Sequence, residues 1–353
     1  MKTGRTLVDL AEELTRQLHN KQDLLVPSTL MHYRTSAAGA TNIEIEEAGG
    51  VKRLPATELF QRQMADKLAI PFPYFERMRT LQPELLDRNV NTWLHTEPVR
   101  RMVRALDGRA RALLSDRYRR LDNYDLVEHV LPLLQALPGA RFESVQLTER
   151  RMYLKVVTPH VAAEIQPGDF VQAGVVVSNS EVGEGSLSVQ PLVYRLVCKN
   201  GLIASRALRK HHVGRLSQSA QDEVVLFKDD TLQADDRAFF LKVRDVVQSA
   251  VSEATLEHLA EKMRRTLGIR LTGDPVKAVE SVSVKFLMTE PERVGVLRYL
   301  IEGGDLSAYG VVNAVTHFSQ EVEDYDRATD FEVIGGKLVN LSAAEWAPIA
   351  AAA

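Results

Sequence analysis

Two runs of alternating apolar residues, joined by a polar loop, constrain the fold of this sequence more than any other stretch. The runs are residues 170–177 and 187–198, and the loop between them begins Asn179, Ser180, Glu181. Valine, phenylalanine and tyrosine favour a half-buried pleated surface, whereas asparagine, serine and glycine favour turns. The segment therefore predicts two antiparallel strands of a β-meander. A second turn is predicted at residues 199–201, because the Asn200-Gly201 dipeptide tolerates positive φ.

The dipeptide at 107–108, Asp-Gly, predicts a second hairpin between two alternating runs, residues 99–106 and 109–114. A two-residue turn would pair Val103 with Ala112. Side chains alternate between the two faces of a strand, so one face is expected to be mostly small and apolar. The other face would carry four arginines, Arg100, Arg104, Arg109 and Arg111. We therefore expect a basic β-ribbon whose apolar side packs on the core.

Helical spacing of apolar residues predicts helices over much of the remaining chain. These segments are residues 5–20, 57–68, 73–90, 125–137, 231–267 with a break near Ser252, 274–289, 290–303 and 306–318. Thr57 is a candidate N-cap of the second segment, and Asp122 or Asn123 is a candidate cap of the helix at 125–137. Further strands are expected at 42–54 (a hairpin), 141–146, 151–157 and 337–341, and the basic segment 204–219 is expected to be partly helical.

These patterns predict an α+β fold: a curved antiparallel β-meander with a basic hairpin and one packed helix, flanked by N-terminal and C-terminal helices. We expect three parts. Residues 1–95 would form a helical and hairpin arm, 96–220 a central antiparallel β domain with a basic surface, and 221–353 a helical region packed on the same core.

Composition and missing motifs exclude several classes of protein. No run of about 18 apolar residues occurs, so a membrane span is not expected. Charges interrupt the first 18 residues where a signal peptide needs an apolar core, which favours a cytoplasmic protein. The single cysteine, Cys198, argues against disulfides and cysteine-based zinc sites. No Walker, GxGxxG, HExxH, CxxC or GxSxG motif is present, and we expect no metal, cofactor or catalytic residue.

The net charge is only −3, yet basic residues cluster in two segments. The candidates in the first are Arg100, Arg104, Arg109, Arg111, Arg117, Arg119 and Arg120, with Tyr118 among them; those in the second are Arg195, Lys199, Arg206, Arg209, Lys210 and Arg215. Arginine suits bidentate phosphate contact, and tyrosine can stack on bases. The segments therefore indicate an anion-binding surface. The alternative, a solvated face whose arginines lie over apolar surface, stays open.

Polar residues near the two turns are the other candidates. Asn179, Ser180, Glu181 and Asn200 could line a functional loop, or could make the side-chain-to-backbone bonds usual in turns. His211 and His212 could act as acid–base or metal groups, or could add to the basic surface. Adjacent side chains point apart, so at most one of these two histidines can serve a given site.

Four segments, in order along the chain, resemble the signature of a phage- and plasmid-type family known as domain of unknown function number 932. They are residues 114–123, 179–183, 194–201 and 308–316. Residues 118–134 are also similar to the tyrosine-rich turn and following helix of ERF-type single-strand annealing proteins. That second resemblance implies an oligomer that holds DNA in a basic groove without a cofactor. Phosphates would contact Arg100, Arg104, Arg109 and Arg111 on one wall and Arg206, Arg209 and Lys210 on the other.

The favoured hypothesis is a nucleic-acid-binding protein of a phage or mobile element that binds and anneals single-stranded DNA in recombination. We expect it to be a homo-oligomer, and duplex DNA or RNA are the other candidate ligands. One alternative is an accessory factor that binds a protein partner through the acidic residues 321–332. Another is a nucleic-acid-modifying enzyme that uses Glu181, His211 or His212.

Overall fold

The computed structural model describes the backbone of residues 1–118, 120–204, 208–210, 216–218, 224–226 and 229–352. Side chains are described for residues 1–118, 120–204, 234–235 and 237–352. Helices and antiparallel strands are mixed along the chain, with a curved meander at the centre and helices towards both termini. The predicted α+β class is confirmed. The division into three parts at residues 95 and 220 stays a prediction.

The N-terminal part combines helices with short strands. Its elements are α1 (Leu7–Asn20), β1 (Lys21–Pro27), a short 3-10 helix (Ser28–Leu30), β2 (Met31–Thr35), β3 (Thr41–Glu47), β4 (Gly50–Pro55), α2 (Glu58–Lys67), α3 (Phe72–Leu81) and α4 (Pro83–Thr96). Thr57 is the N-cap of α2, as predicted, because its hydroxyl accepts a bond from the Phe60 amide at 3.2 Å. Strands β1 and β2 were not predicted.

The Asp-Gly hairpin forms as expected, but its register changes halfway. Strands β5 (Arg100–Leu106) and β6 (Arg109–Ser115) meet at a turn in which Asp107 and Gly108 have φ of +53° and +71°. A bulge then makes Arg111 an extra residue, so Val103 pairs with Leu113 and not with Ala112. Strand β1 also pairs with β5, giving the sheet order β1-β5-β6. The prediction that four arginines share one exposed face of the hairpin is therefore wrong. The bulge changes the direction of the side chains that follow it, and Arg104 is buried.

A six-stranded antiparallel sheet forms the centre of the molecule. Helix α5 (Asn123–Gln135) precedes the sheet along the chain. The strands of the sheet are β7 (Arg141–Leu147), β8 (Met152–Gln166), β9 (Asp169–Asn179), β10 (Leu187–Arg195), β11 (Asn200–Ile203) and β12 (Leu208–Lys210). The strand order is β11-β10-β9-β8-β7, and β12 pairs with β10 as well. The second turn is made by residues 196–199, with Lys199 at φ +51°. The prediction that Asn200 and Gly201 form this turn is wrong, because both pair with β10 and start β11.

The C-terminal part is mainly helical. Its elements are β13 (Leu216–Gln218), β14 (Val224–Leu226), α6 (Asp229–Ala250), α7 (Glu253–Leu267), α8 (Pro275–Lys285), α9 (Glu290–Gly303), α10 (Ala308–Phe318), α11 (Tyr325–Val339) and α12 (Ala343–Ala350). Ser252 caps α7, which confirms the predicted break. The predicted strand at 337–341 is wrong: Phe331, Ile334 and Leu338 are buried at helical spacing on α11. In the segment 204–219, β12 and β13 are strands and Ala204 is in neither; residues 205–207, 211–215 and 219 lie outside the described residues.

The meander is covered on both faces. On one side Val171 and Val193 pack with α7 to α12, around the buried Trp346. Towards the other end of the same face, Val156 and Val175 pack with α1, α5 and α6. On the opposite face Val157 and Leu192 pack with Val333 of α11. A third cluster joins the inner side of the hairpin to β2–β4 and α2–α4. Apolar burial of this extent is the main favourable term in folding, and it leaves the polar loop after β9 at the junction with the hairpin.

Candidate functional site

The loop that follows β9 lies against the basic hairpin, and Glu181 joins the two. Its Oε1 accepts a hydrogen bond of 2.6 Å from the backbone N–H of Asn123, and its Oε2 forms an ion pair with Arg111. Its backbone oxygen accepts a bond from Nη1 of Arg104 at 2.8 Å. Glu181 is only 4% exposed. Both carboxylate oxygens are thus occupied within the protein.

Arg104 is the centre of a buried ionic network that we call the elbow network: Lys21, Asp23, Arg104, Arg111, Asp122 and Glu181. The side chain of Arg104 is fully buried. Its Nε donates to Asp23 at 2.8 Å and its Nη2 donates to Asp122, also at 2.8 Å. Lys21 pairs with the second oxygen of Asp122. Three cations face three carboxylates, so the network is balanced and ties β1, β5, β6 and the start of α5 to the loop.

The charges of the network perturb the pKa values of its members. Burial by itself raises the pKa of Asp122, but the charge of Arg104 and the hydrogen bond from Lys21 outweigh it and hold that pKa below its ordinary value of 3.8. Burial likewise lowers the pKa of Arg104, yet Asp122 and Asp23 outweigh it and raise that pKa. Both groups therefore stay charged at neutral pH.

This balance predicts a loss of stability in acid. Because the folded pKa of Asp122 is depressed, its contribution is complete above the ordinary value of 3.8 and is lost as the pH falls through the folded pKa. We expect the urea midpoint to drop between pH 6 and pH 3 by less in Asp122→Asn than in the unchanged protein. Asp116→Asn, at an exposed position, is the control and should keep the full drop. Equal drops in all three proteins would contradict this prediction.

The other polar side chains of the loop bond mainly to backbone atoms, and among the described residues Oδ1 of Asn179 has no hydrogen-bond partner. The side-chain Nδ2 of Asn179 donates to the backbone oxygen of Leu121 and to the side-chain Oδ1 of Asn123, both at 2.9 Å. The Ser180 hydroxyl accepts from the Glu184 amide at 3.0 Å. The Tyr118 hydroxyl donates to the Ser180 oxygen at 3.1 Å. Apart from the bond to Asn123 Oδ1, these are the side-chain-to-backbone bonds that one of the two interpretations of the loop requires, and they make it a rigid junction.

Arg195 and Asn200 lie at the opposite end of β10 from this loop. Arg195 forms two bonds of 2.7 Å to the carboxylate of Asp169, which also accepts the Tyr309 hydroxyl at 2.7 Å. Its Nη1 lies 3.1 Å from the sulfur of Cys198. The Asn200 amide donates to Thr316. The segments around residues 195 and 310 are therefore joined by polar contacts.

Another buried ion pair lies between the meander and α11. Lys155 and Glu332 both have fully buried side chains, and Nζ of Lys155 is 2.6 Å from Glu332 Oε2. The same ammonium donates to the Thr329 hydroxyl at 2.9 Å and lies 4.8 Å from the centre of the Tyr325 ring. The second oxygen of Glu332 is buried and has no hydrogen-bond partner within the described part of the chain. This pair holds α11 to strand β8.

The remaining basic candidates divide into exposed residues and residues outside the description. Arg100, Arg109, Arg117 and Lys199 are exposed, and Arg120 is 61% exposed at 3.3 Å from Asp23. Arg119, Arg206, His211, His212 and Arg215 lie outside the described residues. Arg209 and Lys210 belong to β12, whose backbone alone is described; they pair with Ser188 and Leu187. The first basic segment therefore lies at the start of the loop 180–187, where it contacts Glu181, and the second lies at its end, where β12 pairs with Leu187.

Sequence reasoning missed the acidic half of the elbow network. Asp122, one of the two candidate caps of α5, occupies the cap position, but its side chain makes no capping bond and pairs with Lys21 and Arg104 instead. Asp23 precedes the apolar run Leu24, Leu25 and Val26. Asp23 stands beside an apolar run, and Arg104 stands in the middle of an apolar strand. Together these two positions could have indicated a buried ion pair, because a buried charge needs a partner.

The described part of the chain has neither a metal-binding cluster nor a membrane-spanning helix. No group of three or more histidine, cysteine, aspartate or glutamate side chains there could hold a metal ion. None of the described helices combines the length and apolar character that a bilayer span needs.

Comparison with known proteins gives a family but no close relative of known role. No curated protein and no solved structure matches the chain. A family model does match, over residues 111–334, a span that contains the loop, the meander and α10. The resemblance seen in four separate segments is thereby confirmed. Because this match covers more than half of the chain, the protein belongs to the family Domain of unknown function (DUF932).

Proposed function

We propose that this protein binds single-stranded DNA across the loop 180–187, as a nucleic-acid-binding protein of a phage or mobile element. The observation that carries the proposal is the convergence of the two basic segments on this loop. The hairpin contacts Glu181 through Arg104 and Arg111, and β12 pairs with Leu187 and Ser188. Six residue steps separate positions 181 and 187, so the segments lie at most about 20 Å apart along the loop.

The elbow network and the exposed arginines have different parts in this proposal. Arg104 and Arg111 are committed to carboxylates, so they support the surface and do not contact phosphate. Arg100, Arg117 and Arg120 are exposed near one end of the hairpin and would form the first wall. Arg209 and Lys210 would form the second. Arginines on a rigid junction suit phosphate contact, because little side-chain order has to be gained on binding.

Annealing is the activity that such a surface suits. A groove that holds the phosphates of one strand leaves the bases free to pair with a second strand, and it needs no cofactor or reacting side chain. The resemblance of residues 118–134 to ERF-type annealing proteins supports the same activity. We further propose that the working form is a homo-oligomer, because annealing proteins of that type act as rings or filaments.

Charge reversal of exposed arginines tests the proposal. We expect Arg117→Glu with Arg120→Glu to weaken binding of a single-stranded oligonucleotide at least about 10-fold, because two phosphate contacts become repulsive. The slope of log affinity against log salt should also become shallower by about 1.4, at about 0.7 for each lost contact. Fluorescence anisotropy at 50 and 200 mM salt (chosen conditions, about a 4-fold range in which such contacts matter) measures both effects.

The matched control is Arg265→Glu with Arg270→Glu. These residues are 71% and 72% exposed in the C-terminal part, and each makes one long ion pair, at 3.3 and 3.5 Å. This control changes the net charge equally, so it should alter affinity less than about 2-fold if binding is local. Equal losses in the two variants, or no binding of the unchanged protein at low salt, would overturn the proposal.

A further inference from the structure

A groove on the N-terminal helices carries two exposed aromatic side chains. It has a volume of about 510 Å³ and lies where the end of α2 meets α3 and α4. Leu68, Ile70 and Met78 line it, together with Tyr74 and Trp93. This size is within the range of pockets that bind small planar groups.

The exposure of the two rings is unusual for this protein. Trp93 is 46% exposed and Tyr74 is 50% exposed, whereas the other tryptophan, Trp346, is fully buried. Two tyrosines of the meander, Tyr153 and Tyr194, are only 2% and 6% exposed. Exposed aromatic rings that share a groove are typical of binding sites, since each ring offers a flat apolar surface to a ligand.

The rim of the groove carries basic and acidic side chains. Lys67 lines it directly, and Arg77 is exposed one turn after Tyr74 on the same side of α3. Glu97 is the acid among its lining residues. The chain then runs from Glu97 to Arg100, the first arginine of the proposed DNA surface. Seven residue steps lead from Trp93 to Arg100, so the groove lies within about 20 Å of that surface.

We propose that this groove is a stacking site for the bases of single-stranded nucleic acid. A strand held by Arg100, Arg117 and Arg120 continues to the groove, where bases stack on Trp93 and Tyr74 while Lys67 and Arg77 contact phosphates. The inference rests on the proposed function and adds to it a site for bases. Single-strand-binding proteins combine a basic path with aromatic rings in this way, because every base has a flat face.

Intrinsic fluorescence provides a specific test, because the chain has only two tryptophans and one of them is buried. An oligothymidylate should quench the solvent-exposed emission of Trp93 and leave the emission of Trp346 unchanged. We expect Trp93→Ala to weaken binding about 5- to 150-fold, the range found when one stacking ring is removed. Tyr74→Ala should weaken binding in the same range, and it keeps the tryptophan signal for a second measurement.

Two controls separate stacking from other effects. Phe170→Ala removes a ring that is 45% exposed at the start of β9, about 30 Å along that strand from the loop, so it should change affinity less than about 2-fold. An oligonucleotide of the same length with abasic sugars should bind the unchanged protein and Trp93→Ala equally, because it offers phosphates without bases. Thermal melting before each titration establishes that the variants are folded.

The outcomes distinguish the two proposals. Salt-dependent binding with no quenching, and with full affinity in Trp93→Ala and Tyr74→Ala, would overturn the stacking site and leave the arginine surface intact. Absence of binding by the unchanged protein would overturn both. If Trp93 emission instead follows protein concentration, and Trp93→Ala abolishes an oligomer in light scattering, a second copy of the chain occupies the groove and the stacking site is overturned.

Discussion

Arg104→Met is expected to lower the free energy of unfolding by about 3–5 kcal/mol, the cost of removing one partner from a buried ionic pair. The guanidinium is fully buried and bonds to Asp23, Asp122 and the backbone oxygen of Glu181. Without it, two largely buried carboxylates lose their main cation and the loop loses a donor. Urea unfolding at pH 7 (a chosen condition, roughly three units above ordinary carboxylate pKa values) measures the change.

Two further variants make this prediction specific. Arg104→Lys keeps the charge, but a single ammonium cannot reproduce the planar fork, so its loss should lie between those of Arg104→Met and the unchanged protein. Arg100→Met changes an exposed arginine of the same strand and should stay within about 0.5 kcal/mol of the unchanged protein. A loss below about 1 kcal/mol for Arg104→Met would mean that the network contributes little more than surface ion pairs do.

Lys155→Met is the second variant with a large expected effect, again about 3–5 kcal/mol. Its ammonium and the Glu332 carboxylate are both fully buried, so removal of the lysine leaves the carboxylate in the core without its ion-pair partner. Glu332→Leu should cost a similar amount for the same reason. Chemical denaturation followed by circular dichroism measures both losses.

The double variant Lys155→Met with Glu332→Leu tests the origin of these losses. Removing both charges together leaves no isolated ion, so the double variant should be more stable than either single variant. The unpartnered oxygen of Glu332 supports this expectation, because the native pair does not satisfy all of its buried polar atoms. Losses that simply add in the double variant would show that packing, and not charge, accounts for them.

In the arginine hairpin, the alternation of side chains along a strand predicts the pairing near the turn but not the direction of the arginine side chains beyond the bulge. The Asp-Gly turn and the pairing of Ala105 with Ala110 follow from local rules, and both are observed. The bulge at Arg111 is different, because it lets both Arg104 and Arg111 reach Glu181, a residue 70 positions further along the chain from Arg111. No pattern within the hairpin specifies that partner.

The acidic partners of the hairpin were hidden for a similar reason. Asp23 reaches Arg104 because β1 pairs with β5, and Asp122 reaches it because α5 starts beside the same strand. These contacts join positions that lie 81 and 18 residues apart. An excess of arginine in one segment of the sequence suggests a binding surface, but in the folded protein carboxylates from distant segments can pair with those arginines and neutralise them.

The sequence by itself determined most local structure: the Asp-Gly hairpin, the capped α2, the strands of the meander and the break before α7. Each depends on spacing, caps or turn residues that act within a few positions. It also determined family membership, through four short segments. Tertiary structure alone decided which arginines are buried, which aromatic rings are exposed, and that residues 337–339 end a helix. Burial and charge pairing depend on contacts between distant segments, and the free energy of those contacts can outweigh local preference.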